Sequence, residues 1–134
     1  MYPSSINEEG ENICTINISL DKSLIISGST AGSLDQYIKI YTRGEDGVFS
    51  LFQEIQEKSL GEQRIVISGD KKTFACAYGY GAVKIFRLQE DGKYLEIQKF
   101  QENVTNIRDI AISEDGEFIA YGGPDIPIKI LNLG

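Results

Sequence analysis

There is no histidine in this chain, only two cysteines, and no apolar run long enough to cross a bilayer. Without histidine the chain lacks the commonest general base, the usual partner of a nucleophilic serine or cysteine, and the commonest metal ligand. Cys14 and Cys76 each fall inside an apolar strand pattern with no second cysteine nearby. Two buried free thiols are therefore expected, in preference to a disulfide or a redox centre. The opening Met1-Tyr2-Pro3-Ser4-Ser5-Ile6-Asn7-Glu8-Glu9 has neither a basic n-region nor an apolar core. No signal peptide is read there, no membrane contact is required, and a cytoplasmic location is expected. Positive charge is also scarce. Thirteen basic residues stand against 20 acidic ones, and the net charge of −7 repels phosphate backbones, which argues against nucleic acid as a direct ligand. What remains, 41% hydrophobic and 25% charged over 134 residues, is ordinary for one soluble globular unit.

A phrase repeats. Ile38-Lys39-Ile40-Tyr41, Val83-Lys84-Ile85-Phe86 and Ile128-Lys129-Ile130-Leu131 are spaced forty-five residues apart, and a period of that length signals a repeat architecture. Ile18-Ser19-Leu20-Asp21, Ile67-Ser68-Gly69-Asp70 and Ile112-Ser113-Glu114-Asp115 mark the same turn in each copy. The first interval here is four residues longer, because the loop between Gly28 and Ile38 carries an insertion. The pattern predicts short strands throughout and no helical periodicity. In copy one they are Ile13 to Ser19, Leu24 to Ser27, Tyr37 to Tyr41 and Val48 to Ile55, with a loop over Ser29 to Gln36. In copy two they are Arg64 to Ser68, Thr73 to Ala77, Val83 to Leu88 and Tyr94 to Phe100. Copy three gives Ile107 to Ser113, Phe118 to Tyr121 and Ile128 to Leu131. Asp46-Gly47 and Asp91-Gly92 are hairpin signals, since glycine accepts positive φ without a steric cost.

Four antiparallel strands in about 45 residues, with an Ile-Ser-x-Asp turn and an Ile-Lys-Ile third strand closed by an aromatic, resemble the WD-repeat blade of β-propellers. The resemblance runs from about residue 13 onward. Asp35 and Asp125 stand where that family places an aspartate before the third strand. Tyr80 replaces it in copy two. Tyr41, Phe86 and Leu131 occupy the family's tryptophan position, and no Gly-His precedes a first strand. The family's buried network of aspartate, histidine, hydroxyl and tryptophan cannot form, so blade stability is expected to rest on apolar stacking. The implied fold is all-β, a single unit over 1–134 with blades at about 13–55, 64–100 and 107–134. The last blade lacks its outer strand, giving about 2.75 blades of an incomplete propeller. An end blade exposes apolar surface and rings hold typically four to eight blades. The chain is thus expected to be a fragment of a longer propeller, or to complete a ring with other copies or another subunit, or to stand as an open array.

Chemistry has few footholds. Gly79-Tyr80-Gly81-Ala82-Val83-Lys84 lacks a third glycine and a following helix, so it reads as a turn, not a phosphate loop. Glu45-Asp46, Glu90-Asp91 and Glu114-Asp115 lack the alternating oxygen-ligand spacing of a calcium loop. No metal and no cofactor is read. Asn17-Ile18-Ser19 and Asn103-Val104-Thr105 fit the glycosylation sequon, but without a secretory signal they carry no assignment. The WD-repeat resemblance implies a protein-protein interaction scaffold without enzymatic activity. Its partner-binding loops would carry Gln63, Arg64, Arg108 and Asp109 before the first strands, and Leu34, Asp35, Tyr80, Pro124 and Asp125 between second and third strands. Phe86-Arg87-Leu88-Gln89-Glu90-Asp91-Gly92-Lys93-Tyr94-Leu95 is also similar to a phrase of lactonase-type propellers. That resemblance implies, as the alternative, a hydrolase with acidic and basic residues at a central channel.

Overall fold

Each copy of the repeat closes its first turn in the same way, and that turn sets the register of the blades. Ser19, Ser68 and Ser113 each donate their hydroxyl to the aspartate two residues on, Asp21, Asp70 and Asp115, at 2.7, 2.6 and 2.7 Å. The same aspartates accept from the backbone N–H groups of Ser23, Lys72 and Glu117, and the serine hydroxyls accept from Leu24, Thr73 and Phe118. Short polar side chains that satisfy nearby backbone groups favour turns over continued strand.

In the computed structural model all residues are described except 1, 2, 7–9, 32–34, 59 and 103–105. Eleven strands form three antiparallel sheets, and the described residues include no helix. Blade one is β1 (Asn12–Ile18), β2 (Leu24–Ala31), β3 (Asp35–Arg43) and β4 (Phe49–Lys58). Blade two is β5 (Gln63–Ile67), β6 (Thr73–Tyr78), β7 (Ala82–Leu88) and β8 (Tyr94–Gln101). Blade three is β9 (Asp109–Ile112), β10 (Phe118–Gly123) and β11 (Ile126–Asn132). The sheets approach one another most closely along β1, β5 and β9, as blades do around an axis. The architecture is that of consecutive β-propeller blades.

Two apolar layers lie between the sheets. Between blades one and two, Ile26, Ile38 and Ile40 meet Phe74, Tyr78 and Phe86. Between blades two and three, Ala75, Val83 and Ile85 meet Ile110, Ile119 and Tyr121. Side chains alternate across a strand, so blade two is buried on both faces while blades one and three each keep one face open. The open faces carry Ile16 and Ile18 on blade one and Ile128 and Ile130 on blade three, all exposed.

Three expectations need correction. The loop read over Ser29 to Gln36 is mostly paired strand: Ser29 pairs with Tyr37, Thr30 with Gln36 and Ala31 with Asp35. Cys14 is exposed, at the register shift of β1 between Ile13 and Thr15, and only Cys76 is buried. Apolar stacking does not act alone between blades. The buried Gln36 spans the boundary, donating to the Gly61 carbonyl at 2.6 Å and accepting from the Leu60 N–H at 2.7 Å. Gln53 does the same outside, exchanging two hydrogen bonds with the backbone of Tyr94.

Candidate functional site

The turn between β6 and β7 projects Tyr80 from blade two, with its ring 61% exposed. The turn is tight because Gly81 takes a φ of 102° and donates to the Tyr78 carbonyl, which fits the turn reading of the Gly79-Tyr80-Gly81 phrase. Gly79 and Tyr80 donate in turn to the carbonyls of Glu62 and Leu60. The Asn106 N–H reaches the Gly79 carbonyl from the link into blade three. These bonds gather three stretches of chain at one rim.

The result is a recess of about 170 Å³ lined by Glu62, Arg64, Tyr80, Asn106 and Arg108. Arg64 is exposed and lies 3.4 Å from Glu62, while Arg108 forms no ion pair among the described residues. Two guanidinium groups beside one exposed phenol ring give a locally basic, aromatic spot on an acidic protein. Planar guanidinium donors favour carboxylate partners.

The other expected residues fall elsewhere. Gln63 is corrected: it is 1% exposed and offers nothing to a partner, because its side chain packs under the β1–β2 pair. A Cβ at residue 28 would meet Gln63 Oε1 and the Thr15 methyl, each at 2.8 Å, so Gly28 is what lets the two blades close over that amide. Asp109 and Pro124 line a wider recess of about 540 Å³ along blade three, together with Ala111, Ala120 and Ile128, and this recess shares Arg108 with the first. Asp125 is exposed in the β10–β11 turn. Asp35 sits at the start of β3, within 3.4 Å of Gln56 Nε2. Leu34 and the Asn103-Val104-Thr105 sequon lie outside the described residues. Sequence reasoning missed Glu62 and Asn106. Asn106 carries a φ of 75°, the left-handed conformation that asparagine tolerates better than most residues.

Among the described residues that line the recess there is no cysteine, serine or threonine. Burial pushes the Cys76 thiol up to about 12 and drives the Tyr78 phenol higher still. Both belong to the layer between blades one and two. Among the described residues no group of three or more acidic, cysteine or histidine side chains is placed to hold a metal ion.

No family model matches the chain, and no curated protein does. Solved structures do. Sqt1 from Chaetomium thermophilum aligns with a TM-score of 0.69 at 21% identity, over 90% of this chain and 30% of its own. A protein from Bacteroides uniformis, provisionally described as a 6-phosphogluconolactonase, aligns with a TM-score of 0.67 at 20% identity, over 90% of this chain and 36% of its own. A second such protein, from Bacteroides fragilis, gives 0.65 at 16%, over 91% and 38%. The chain thus spans about a third of the length of each. The expectation of a chain without enzymatic activity is corrected by these matches: structures described as lactonases align about as well as Sqt1, so the fold gives no ground for excluding catalysis. What these likenesses establish is a β-propeller fold.

Proposed function

We propose that the chain is a protein-binding scaffold of WD-repeat type, whose rim between blades two and three takes an acidic segment of a partner protein. The observation that carries this reading is the convergence of Arg64, Tyr80 and Arg108 on one recess from three separate stretches of chain. Exposed tyrosine and arginine are the residue types over-represented where interface energy concentrates. The surrounding net charge of −7 would repel an acidic partner everywhere except at such a basic spot. The test is affinity capture with the immobilised chain, followed by titration of acidic peptides from whatever is captured. Tyr80→Ala and Arg108→Ala should each lose the captured protein. Unchanged capture by both variants sinks the assignment.

A second reading, a lactonase-like hydrolase, is favoured by the likeness to the two Bacteroides structures and by the Asp91-Gly92 phrase before β8. Hydrolysis of 6-phosphogluconolactone above the spontaneous rate would support it, and a rate equal to the uncatalysed one would remove it.

A further inference from the structure

The turn that presents Tyr80 is held from a blade that does not line the recess. Gln36 lies in β3 of blade one, paired with Thr30 on one side and Glu57 on the other, and it is 1% exposed. Both ends of its amide are engaged: Nε2 donates to the Gly61 carbonyl at 2.6 Å, and Oε1 accepts from the Leu60 N–H at 2.7 Å. Those two residues belong to the link from β4 to β5. The link passes the contact on to blade two. The Leu60 carbonyl accepts from the Tyr80 N–H at 3.0 Å, and the Glu62 carbonyl accepts from the Gly79 N–H at 2.7 Å.

Gly61 shows how closely link and turn meet. It takes a φ of 92°, and a Cβ built there would lie 2.9 Å from the Tyr80 nitrogen and 3.1 Å from Cδ1 of the Tyr80 ring. No side chain fits between them, so a displaced link carries the ring with it. Gln36 has no counterpart in the other blades. Aligned on Ile38, Val83 and Ile128, its position falls to Gly81 in blade two and Ile126 in blade three, neither of which has a side-chain amide.

We infer that Gln36 is a positioning residue for the candidate site: from blade one, and without touching a partner, it fixes the orientation of Tyr80 through Leu60 and Gly61. The inference rests on the partner-binding reading of the recess. Removing the amide leaves the Leu60 N–H and the Gly61 carbonyl without their partner, and the link is then free to move away from the turn.

The molecule supplies its own control. Gln53 exchanges two hydrogen bonds with the backbone of Tyr94 across the same boundary between blades one and two, outside the recess. Were Gln36 only a fastening between blades, its loss and the loss of Gln53 would have the same consequences.

Hydrogen exchange followed by NMR separates the two roles. Gln36→Leu should speed exchange of the Tyr80 N–H by about tenfold, through easier local opening. Gln53→Leu should leave that rate unchanged. Equal acceleration in both variants, or none in Gln36→Leu, overturns the inference. Should Gln36→Leu fail to fold, Gly61→Ala strains the same link against the same turn and must give the same result. A fluorescent hexaglutamate peptide at low salt supplies the binding readout. Gln36→Leu should weaken its binding by about threefold to thirtyfold, the range expected of a residue that acts without touching the ligand. Gln53→Leu should not weaken it, and in a Tyr80→Ala background Gln36→Leu should add nothing. A further loss in that background overturns the route through Tyr80. If Tyr80→Ala alone leaves the peptide bound as before, the partner-binding reading fails, while the exchange rates still decide whether Gln36 holds the turn.

Discussion

Lys71 Nζ lies 2.6 Å from Asp21 Oδ2 and 2.8 Å from the Ser23 hydroxyl, so the first turn of blade two is tied to the first turn of blade one. Lys71 itself takes a positive φ of 63°, as Lys22 does in blade one, at the position where blade three has Gly116. The tie is ionic and exposed to solvent, which gives it a definite pH dependence.

The Lys71 ammonium, and after it the hydroxyls of Ser23 and Ser19, hold the Asp21 carboxyl well below the usual carboxylate range. A depressed folded-state value means that the ionised form contributes stability above the unfolded value of about 3.9. That contribution is lost as pH falls through the lower folded value. Asp115 is shifted in the same direction, chiefly by its bonds to the Glu117 N–H and the Ser113 hydroxyl. Thermal midpoints taken from pH 5 down to pH 2 should fall more steeply for the natural chain than for Asp21→Asn, with the two curves converging at the acid end. Parallel curves would show that the tie contributes nothing.

The Lys84–Glu57 pair lies between blades with both side chains about nine-tenths buried. Burial by itself would lower the Lys84 ammonium, but Glu57 and Glu96 outweigh it and leave the group above its usual value. Glu57→Leu leaves that buried charge with only the more exposed Glu96, 3.3 Å away, and should cost about 2 to 4 kcal/mol by urea denaturation. The double replacement Lys84→Met with Glu57→Leu should cost less than the single Glu57→Leu change. Additive losses would mean that the two groups act independently.

Phe74 is fully buried, stacked on Phe86 at 4.5 Å between centroids and edge-on to Tyr94 at 5.0 Å. Truncation to alanine opens a cavity in the layer that joins blades one and two, and about 3 to 5 kcal/mol should be lost. The check is the denaturation midpoint, followed at several wavelengths to establish whether the blades unfold together. A loss under about 1 kcal/mol would place that layer outside the cooperative core.

Thiol chemistry separates the two cysteines. Cys14 is exposed, whereas Cys76 is buried and its thiol is raised. A disulfide reagent at pH 8 should modify one thiol in the folded chain and two after denaturation. Cys14→Ser should abolish the native reaction.

The fold was legible because its marks are local and repeated. The lysine between two aliphatic residues recurs at matching places in β3, β7 and β11, and the Ser-x-Asp phrase forms the same hydrogen-bonded turn three times. Boundaries were less legible. Ser29, Thr30 and Gln36 look like loop residues, yet backbone pairing with the neighbouring arm outweighs their weak local preference. The candidate site was half legible. Tyr80 and the two arginines could be placed by position within the repeat. The burial of Gln63 could not, because it depends on a glycine in the neighbouring blade. The ion pairs between blades were present in the sequence as a fixed interval from glutamate to lysine, but only tertiary contact turns that interval into an interaction.

Lys84 and Lys129 each reach backward to an acid carried on or just after the outer strand of the blade before. A gene segment that began at a first strand and stopped at the next outer strand would copy each lysine without the acid it grips, and would hand its own acid to whatever came after. The smallest piece of this protein that can be duplicated or exchanged without leaving a buried ammonium unmatched therefore begins in one leaf and ends in the next.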